Sequence, residues 1–323
     1  MLKNKLALSA ALVLGAFSTN SFASDEIRLP CGTAKLIVPW GAGGGTDIIF
    51  RTIVEEANAQ GIKPQLQVVN MPGRSGNKGS KKFLKTRKNG CELLAIHQSV
   101  MTSYLGGQAK VNWDGYLPVA QLTETAEYIG VNGQQPYSTL AELQTYAKAN
   151  PNTVVAAGSL GSTSHYTMLM LEEALNVKFR HVSYDGTRER TTALLSGNAH
   201  IGLSNLTSSR KNVETGAIKL LATTSEDRQK QMPDVPSVME QGFDVEFGVR
   251  RGVALPKGTS PEIVAYYEEV FAKAVASTKV KETLRIKGTE VKYLASNDYS
   301  QSLGQEFGSW EALAKQVGIY NVK

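Results

Sequence analysis

The sequence predicts an α/β fold of two lobes, each a mainly parallel sheet flanked by helices. Short apolar runs recur along the chain, and segments with helical periodicity separate them, which is typical of such sheets. The 323 residues suffice for two domains with their own cores. Because no repeat or low-complexity linker divides the chain, we expect crossing strands to join the two lobes.

The first 23 residues have the three parts of a secretory signal peptide. Lys3 and Lys5 form the positive part, residues 6–17 the apolar core, and Ser21-Phe22-Ala23 a small-residue cleavage site. A retained membrane anchor is the alternative, although the apolar run is short for a bilayer span. We therefore expect an exported, periplasmic protein that begins at residue 24.

The elements of the mature chain can be placed in order. Gly61 follows the first predicted helix, and Ser260-Pro261-Glu262 combines the cap, the proline and the acid of a helix start. The predicted strands are 35–38, 65–70, 93–97, 154–157, 179–183, 200–203 and 219–223. The predicted helices are 46–60, a basic helix after Pro72-Gly73, 162–175, 188–196, one starting at 260, and 299–317.

Cys31 and Cys91 are the two cysteines of the chain. An oxidising compartment favours their pairing. Each precedes a predicted strand, and if the two strands are parallel neighbours, both cysteines lie at one sheet edge and a bridge is feasible. Two buried free thiols remain the alternative. Zinc is disfavoured because no further ligand stands at a suitable spacing.

Two glycine-rich loops each connect a predicted strand to a predicted helix. They read GAGGGTD at 41–47 and AAGSLGSTSHY at 156–166. Backbone N–H groups at a helix start can hold an anion. No lysine follows the first loop as a P-loop requires, and the dinucleotide-binding spacing is only approximate. We expect the two loops to face each other across a cleft, although either alone could be a plain turn.

The charge balance agrees with an anionic ligand. The formal net charge is +6, to which Lys3 and Lys5 of the leader contribute two. This mild excess falls short of a nucleic-acid-binding signature. We expect no nucleic-acid partner.

The sequence shows no catalytic constellation, neither a nucleophile elbow nor a zinc-protease or paired-carboxylate pattern. His97 and His165 are candidates for the cleft, whereas His181 and His200 fit structural positions on strands. Asp47 is expected to cap the first helix and organise its loop. The prediction is a protein without enzymatic activity, cofactor or metal.

Six stretches follow one another along the chain: IVPWGAGGGTDIIFR, NMPGRSGNKGSKKF, GSLGSTSH, HVSYDGTRERTTALLSGNAHIGLSN, MPDVPSVMEQGF and GVALPKGTS. In this order they resemble the motifs of the Bug family (TctC), the extracytoplasmic solute-binding proteins of tripartite tricarboxylate transporters. The resemblance implies a two-lobed periplasmic-binding-protein fold that closes on a carboxylate. It places one lobe at 24–124 and 248–323 and the other at 125–247.

The resemblance also implies the residues of the ligand site. Backbone amides of 41–46 and 159–163 would hold the ligand, often through water. The implied set is Trp40, Gly41, Ala42, Gly43, Gly44, Gly45, Thr46, Asp47, Gln98, Ser99, Ser159, Gly161, Ser162, Thr163, His165, Tyr184, Gly186, Ser204, Asn205 and Arg250.

The sequence departs from the family pattern at two places. Arg250-Arg251 stands where the family usually has an aromatic residue, often Trp. Either guanidinium could pair with a second carboxylate, or both could face solvent. The family's PYKGG is SYDGT here, so Asp185 could repel a ligand or accept from an ammonium group.

The predicted function is capture of a small organic acid, with a di- or tricarboxylate favoured, for a tripartite tricarboxylate transporter. Its partners would be the ligand and the membrane subunits of that transporter, and the protein itself would be a monomer. A sensor module that presents its ligand to a membrane receptor is the alternative, followed by a glycine-loop enzyme.

Overall fold

The structure is a computed structural model that describes residues 27–322. The predicted signal peptide, residues 1–23, lies outside the described residues. Within residues 27–322, no helix is both long enough and apolar enough to cross a membrane.

The first described elements are alternating strands and helices, and a long strand follows them. These elements are β1 (Thr33–Val38), α1 (Gly45–Ala59), β2 (Gln65–Asn70), α2 (Asn77–Phe83), β3 (Glu92–His97), α3 (Ser99–Leu105) and β4 (Tyr116–Ala126).

The chain then builds a second sheet and returns to the first. The second sheet and its helices are β5 (Tyr128–Asn132), α4 (Leu140–Ala149), β6 (Val155–Gly158), α5 (Thr163–Leu175), β7 (Arg180–Ser183), α6 (Thr187–Leu195), β8 (Ile201–Ser204), α7 (Leu206–Glu214) and β9 (Ile218–Thr223). The returning elements are β10 (Gly248–Pro256), α8 (Pro261–Ala276), α9 (Thr278–Ile286), β11 (Thr289–Ala295) and α10 (Ser296–Gln316).

Two mixed sheets result, which confirms the predicted fold class. The first sheet has the order β11-β4-β10-β3-β1-β2 and the second β7-β6-β8-β5-β9. β1 pairs in parallel with β2 and β3, and β6 with β7 and β8. The reversed strands are β10 and β11 in the first sheet and β5 in the second. A single residue, Glu127, separates β4 from β5 where the chain crosses between the sheets.

The burial of these elements follows from their side chains. In β3, Leu93 to His97 are all buried, as expected for a central strand covered on both faces. In α1, Ile49, Phe50 and Ile53 form an apolar stripe at helical spacing and are fully buried. Burial of such side chains stabilises the fold by about 1.5–3 kcal/mol each.

Four elements, α3, β4, β5 and α4, lie between the predicted strands 93–97 and 154–157, where no element was predicted. β4 and β5 contain polar residues such as Gln121 and Thr123, which obscure the apolar pattern of a strand. α4 begins with a capping box in which Thr139 accepts from the Glu142 backbone N–H and the Glu142 side chain accepts from that of Thr139.

The predicted disulfide is confirmed. Lys35 of β1 is paired with Glu92 of β3 in a parallel ladder, which brings the starts of both strands to one edge. Cys31 and Cys91 are bridged there, with their Cα atoms 6.0 Å apart. This separation is typical of an unforced bridge.

Candidate functional site

A buried cavity of about 40 Å³ lies between the two sheets, where the carboxyl ends of their parallel strands meet. This is the usual position of ligand sites in open α/β sheets. Nine residues of the predicted set line it: Trp40, Gly41, Gly44, Gly45, Thr46, Ser159, Ser162, Thr163 and Gly186. The remaining lining residues are His97, Glu127, Ser164, Thr187, Arg190, Leu203, Val249 and Arg251.

The first glycine loop is packed tightly by the second sheet's helices. A Cβ atom on Gly41 would lie 2.7 Å from Glu189 Oε1, and one on Gly45 would lie 3.0 Å from Asn205 Oδ1. Gly43 has φ +76°, a conformation that glycine adopts without strain. The glycines therefore permit both the turn and the close approach of the opposite lobe.

Asp47 organises this loop from inside α1. Its Oδ2 accepts from the Gly43 backbone N–H at 2.8 Å, and its Oδ1 accepts from Asn70 Nδ2 at 2.8 Å. Arg51 Nε donates to the same carboxylate. Burial by itself raises the pKa of Asp47, but these hydrogen bonds outweigh it and hold the pKa below its usual value. Asp47 therefore organises the loop as expected, but it does not cap α1, whose N-cap is Gly44 without a side-chain cap hydrogen bond. It also does not line the cavity.

Three helices begin at the cavity, whereas the sequence predicted two. α1 starts at Gly45, α5 at Thr163 and α6 at Thr187. The first N–H groups of each helix have no partner within the helix, and the helix dipole makes this end positive. The cavity is therefore suited to negative groups.

Of the two adjacent arginines, Arg251 faces the cavity and Arg250 does not. Successive side chains of a strand point to opposite sides, and β10 therefore separates them. Arg250 pairs instead with Glu124 at 3.1 Å and Glu306 at 2.7 Å. The predicted site residue Arg250 therefore does not line the cavity, whereas Arg251, the other arginine of the pair, does.

Arg251 is held by neutral partners. Its Nε donates to Thr46 Oγ1 at 3.0 Å, and its Nη1 donates to Thr125 Oγ1 at 2.6 Å and to the Val249 carbonyl at 3.3 Å. Burial lowers the pKa of Arg251 to about 10, so the side chain remains charged at neutral pH.

A second guanidinium and a carboxylate complete the charged part of the cavity. Arg190 of α6 is 6% exposed and makes long hydrogen bonds to Thr187 Oγ1 at 3.2 Å and Ser159 Oγ at 3.5 Å. Glu127 is 1% exposed and lies 3.8 Å from Arg251 Nη2. Burial raises the pKa of Glu127 to about 7, although Arg251 and Arg190 oppose this rise.

His97 contributes a neutral ring. It stacks on Trp40 with the ring centroids 4.0 Å apart. Burial and the nearby Arg251 hold its pKa well below the usual value. Because Nδ1 accepts from the Ser99 backbone N–H at 3.1 Å, the proton of the neutral ring is on Nε2. His97 thus offers a hydrogen-bond donor.

Eleven residues of the predicted set do not line the cavity. They are Ala42, Gly43, Asp47, Gln98, Ser99, Gly161, His165, Tyr184, Ser204, Asn205 and Arg250. Several support it from behind. Gln98 spans to β10 by donating to the Gly248 carbonyl at 2.9 Å and accepting from the Arg250 N–H at 3.1 Å. His165 Nδ1 accepts from the Gly161 N–H at 3.2 Å, and Asn205 Nδ2 donates to Glu127 at 3.3 Å.

The two lobes also touch directly around the cavity. Asp185, on the loop before α6, accepts from the Ser75 N–H at 2.9 Å and the Arg74 N–H at 3.2 Å. Ser75 Oγ donates to the Leu160 carbonyl at 2.6 Å. Arg188 Nη1 donates to the Ala42 carbonyl at 3.3 Å. These hydrogen bonds hold the two lobes together beside the cavity, and both carboxylate oxygens of Asp185 take part in this lobe contact.

Sequence reasoning missed Glu127, Ser164, Thr187, Arg190, Leu203 and Val249. Glu127 lies in a stretch where no strand was predicted. Arg188 and Arg190 lie in the same helix. Only the orientation of this helix decides that Arg190 is buried and Arg188 is exposed. A usable signal was the position of Thr187 and Arg190 just after a glycine at a strand-to-helix turn.

Two lobes that close on a buried, positively charged cavity define a two-lobed solute-binding protein. The chain matches the Tripartite tricarboxylate transporter family receptor, TctC, over residues 49–319, and it belongs to this family. The predicted family is thereby confirmed.

Individual relatives agree with this assignment. The chain is 30% identical over 318 residues to the UPF0065 protein in the gbd 5′ region of Cupriavidus necator. This alignment covers 97% of this chain and 95% of that protein. The periplasmic binding protein BugD superposes with a TM-score of 0.84 at 25% identity over 89% of this chain and 98% of its own. MatC from Rhodopseudomonas palustris, solved with bound malate, gives a TM-score of 0.82 at 25% identity over 87% and 98%.

Proposed function

We propose that the protein is a periplasmic receptor that captures a short-chain diacid and delivers it to the membrane subunits of a tripartite transporter. One observation carries this proposal: three helix N-termini and two guanidinium groups converge on one buried cavity. Such groups bind carboxylates. Membership of the receptor family and a relative solved with the dicarboxylate malate support the same ligand class.

The two carboxylates would occupy different parts of the cavity. The first would accept from the N–H groups at the starts of α1 and α5, and the second from Arg251 and Arg190. A cavity needs about 10–15 Å³ to hold one water molecule. The cavity between the lobes has a volume of about 40 Å³, which favours a short acid.

We propose the lobes 24–124 with 248–323, and 125–247, with the ligand between them. The membership of the strands supports this division, since β1–β4, β10 and β11 form one sheet and β5–β9 form the other. β4 ends at Ala126, two residues beyond the proposed boundary. The receptor would act as a monomer in the periplasm and release its ligand unchanged. Mass spectrometry of the released acid tests the last point, because any turnover would contradict it.

The ligand class can be tested by a thermal-shift panel of succinate, malate, glutarate and adipate beside monoacids of equal chain length. A ligand that binds the folded protein raises its melting temperature. We expect the diacids to give the larger shifts. If no acid of the panel binds, the proposed function is wrong.

The assignment of the second carboxylate calls for three variants measured by calorimetry. Arg251→Gln and Arg190→Gln each remove a charged donor, which typically costs about 1.5–3 kcal/mol, or roughly 10- to 100-fold in affinity. We expect this loss for a diacid and a smaller one for its monoacid analogue. Arg250→Gln is the matched control and should leave both affinities unchanged. Equal losses for both acids would contradict the assignment.

A further inference from the structure

The buried carboxylate of Glu127 is surrounded by two guanidinium groups and two neutral groups, and a second acid, Glu189 of α6, acts by its charge on one of these guanidinium groups, Arg190. Arg251 approaches from β10, with Nη2 3.8 Å from Glu127 Oε1. Arg190 of α6 acts on it through its charge. Asn205, at the start of α7, donates to its two oxygens at 3.3 and 3.4 Å. His97, at the end of β3, also lines the cavity and is neutral.

The hydrogen bonding of this group is incomplete. The distance of 3.8 Å between Arg251 and Glu127 exceeds a hydrogen bond, so the pair attract each other by charge alone. The two bonds from Asn205 are long for N–H···O contacts. Arg251 Nη2 and the Glu127 carboxyl group therefore both remain available to a ligand in the cavity.

Charge balance decides what this cluster can accept. The two guanidinium groups carry two positive charges, and ionised Glu127 cancels one of them. The positive N-termini of α1, α5 and α6 add to this charge, and Glu189, which acts by its charge on Arg190, subtracts from it, so the cluster does not fully match a dianion. A dianion leaves an excess negative charge in a buried place, where uncompensated charge is strongly unfavourable. Protonation of Glu127 removes this excess and restores the match.

We propose that Glu127 takes up a proton when a doubly charged acid binds, so that this protein captures a dianion together with one proton. The inference rests on the proposed function as a diacid receptor. Protonated Glu127 also gains an O–H donor, which can be directed to a ligand carboxylate. Glu127 thereby becomes a specificity-determining residue that admits the second negative charge.

The direction of the pH effect follows from this linkage. Burial raises the pKa of Glu127 towards neutrality, and an added negative charge beside it raises the pKa further. Between the values of the free and the bound protein, binding takes up protons. Aliphatic diacids are already ionised between these two pKa values of Glu127, because ordinary carboxyl groups have pKa values of about 4. Affinity for a diacid should therefore fall as the pH rises above neutral.

The test is calorimetry of the mature protein at pH 7.5 in triethanolamine and in Tris, two buffers without an anionic form and with different heats of ionisation. The probes are the tightest-binding diacid among succinate, malate, glutarate and adipate, and the monoacid of equal length. We expect net proton uptake with the diacid alone. From pH 7 to 8.5 its affinity should fall by up to tenfold per pH unit, and that of the monoacid should stay nearly constant.

Glu127→Gln supplies the second arm, since glutamine keeps the shape and can still accept from Asn205. The variant should bind the diacid without proton uptake and without pH dependence. Diacid binding to the unaltered protein with no proton uptake between pH 6.5 and 8.5 would overturn the inference and leave the proposed function standing. The same uptake in Glu127→Gln would also overturn it. Failure of every acid to bind would instead refute the proposed function.

Discussion

Asp185 offers a direct test of how closure stabilises the bound state. Its carboxylate accepts from two consecutive N–H groups of the opposite lobe, those of Arg74 and Ser75. These two residues have φ values of 52° and 56°. Successive N–H groups in such turns can form a concave site for an anion. Asp185→Ala removes the anion and leaves the site without its partner.

The expected effect can be worked from these two contacts. Hydrogen bonds to charged groups contribute about 1.5–3 kcal/mol each when buried. Asp185 is half-buried, and solvent screening reduces the contribution. We therefore assign about 1–2 kcal/mol to both bonds together. If the lobes separate on opening and break both bonds, Asp185→Ala destabilises the closed form by this amount, and the dissociation constant should rise roughly 5- to 30-fold.

Calorimetry with the best diacid measures the dissociation constant, and small-angle scattering with and without that acid measures closure. Asp234→Ala is the matched control, because it removes an exposed carboxylate from the segment between β9 and β10. The control should bind as the unaltered protein does. If Asp185→Ala binds and compacts as the unaltered protein does, the lobe contact does not stabilise closure and the reasoning is refuted.

Three further predictions concern the fold and the loop. Replacing Cys31 and Cys91 by serine opens a loop with a sequence separation of 60, which should cost up to about 4 kcal/mol in urea denaturation; an unchanged midpoint would contradict this. Gly44→Val should abolish acid binding in calorimetry while circular dichroism shows an intact fold, because its Cβ would lie 3.3 Å from the Gly41 carbonyl and face the start of α6; unchanged affinity would place the ligand elsewhere. Burial raises the pKa of Glu172, but hydrogen bonds from groups such as His181 outweigh burial and hold this pKa low. Ionised Glu172 therefore stabilises the folded protein above about pH 4.5, and this stabilisation is lost as the pH falls further. Glu172→Gln should flatten this acid limb in denaturant titrations between pH 5 and 3, and an equally steep limb would contradict the assignment.

The parts of the fold that sequence alone could predict were those encoded by local pattern. β1, β2 and β3 have apolar runs bounded by turn residues, and α1 has an apolar stripe that ends at Gly61. The pairing of Cys31 with Cys91 followed once β1 and β3 were assumed to be parallel neighbours. β4 and β5 could not be found in this way, because buried polar residues such as Thr123 and Thr125 interrupt their apolar pattern.

In the candidate site, too, sequence could predict the features that depend on local pattern and not those that depend on tertiary contacts. The sequence by itself determined the family and the two glycine loops at 41–47 and 156–166. It also predicted an anionic ligand, because backbone N–H groups at a helix start need only a turn and a helix nearby in the chain. It did not determine which arginine enters the cavity, since that depends on the register of β10 against its neighbours. Nor did it reveal Glu127 and Arg190, which are 63 residues apart in sequence and share a cavity only because the two sheets close on each other. Charge and burial at such a site arise from contacts between lobes, so only the tertiary structure decided them.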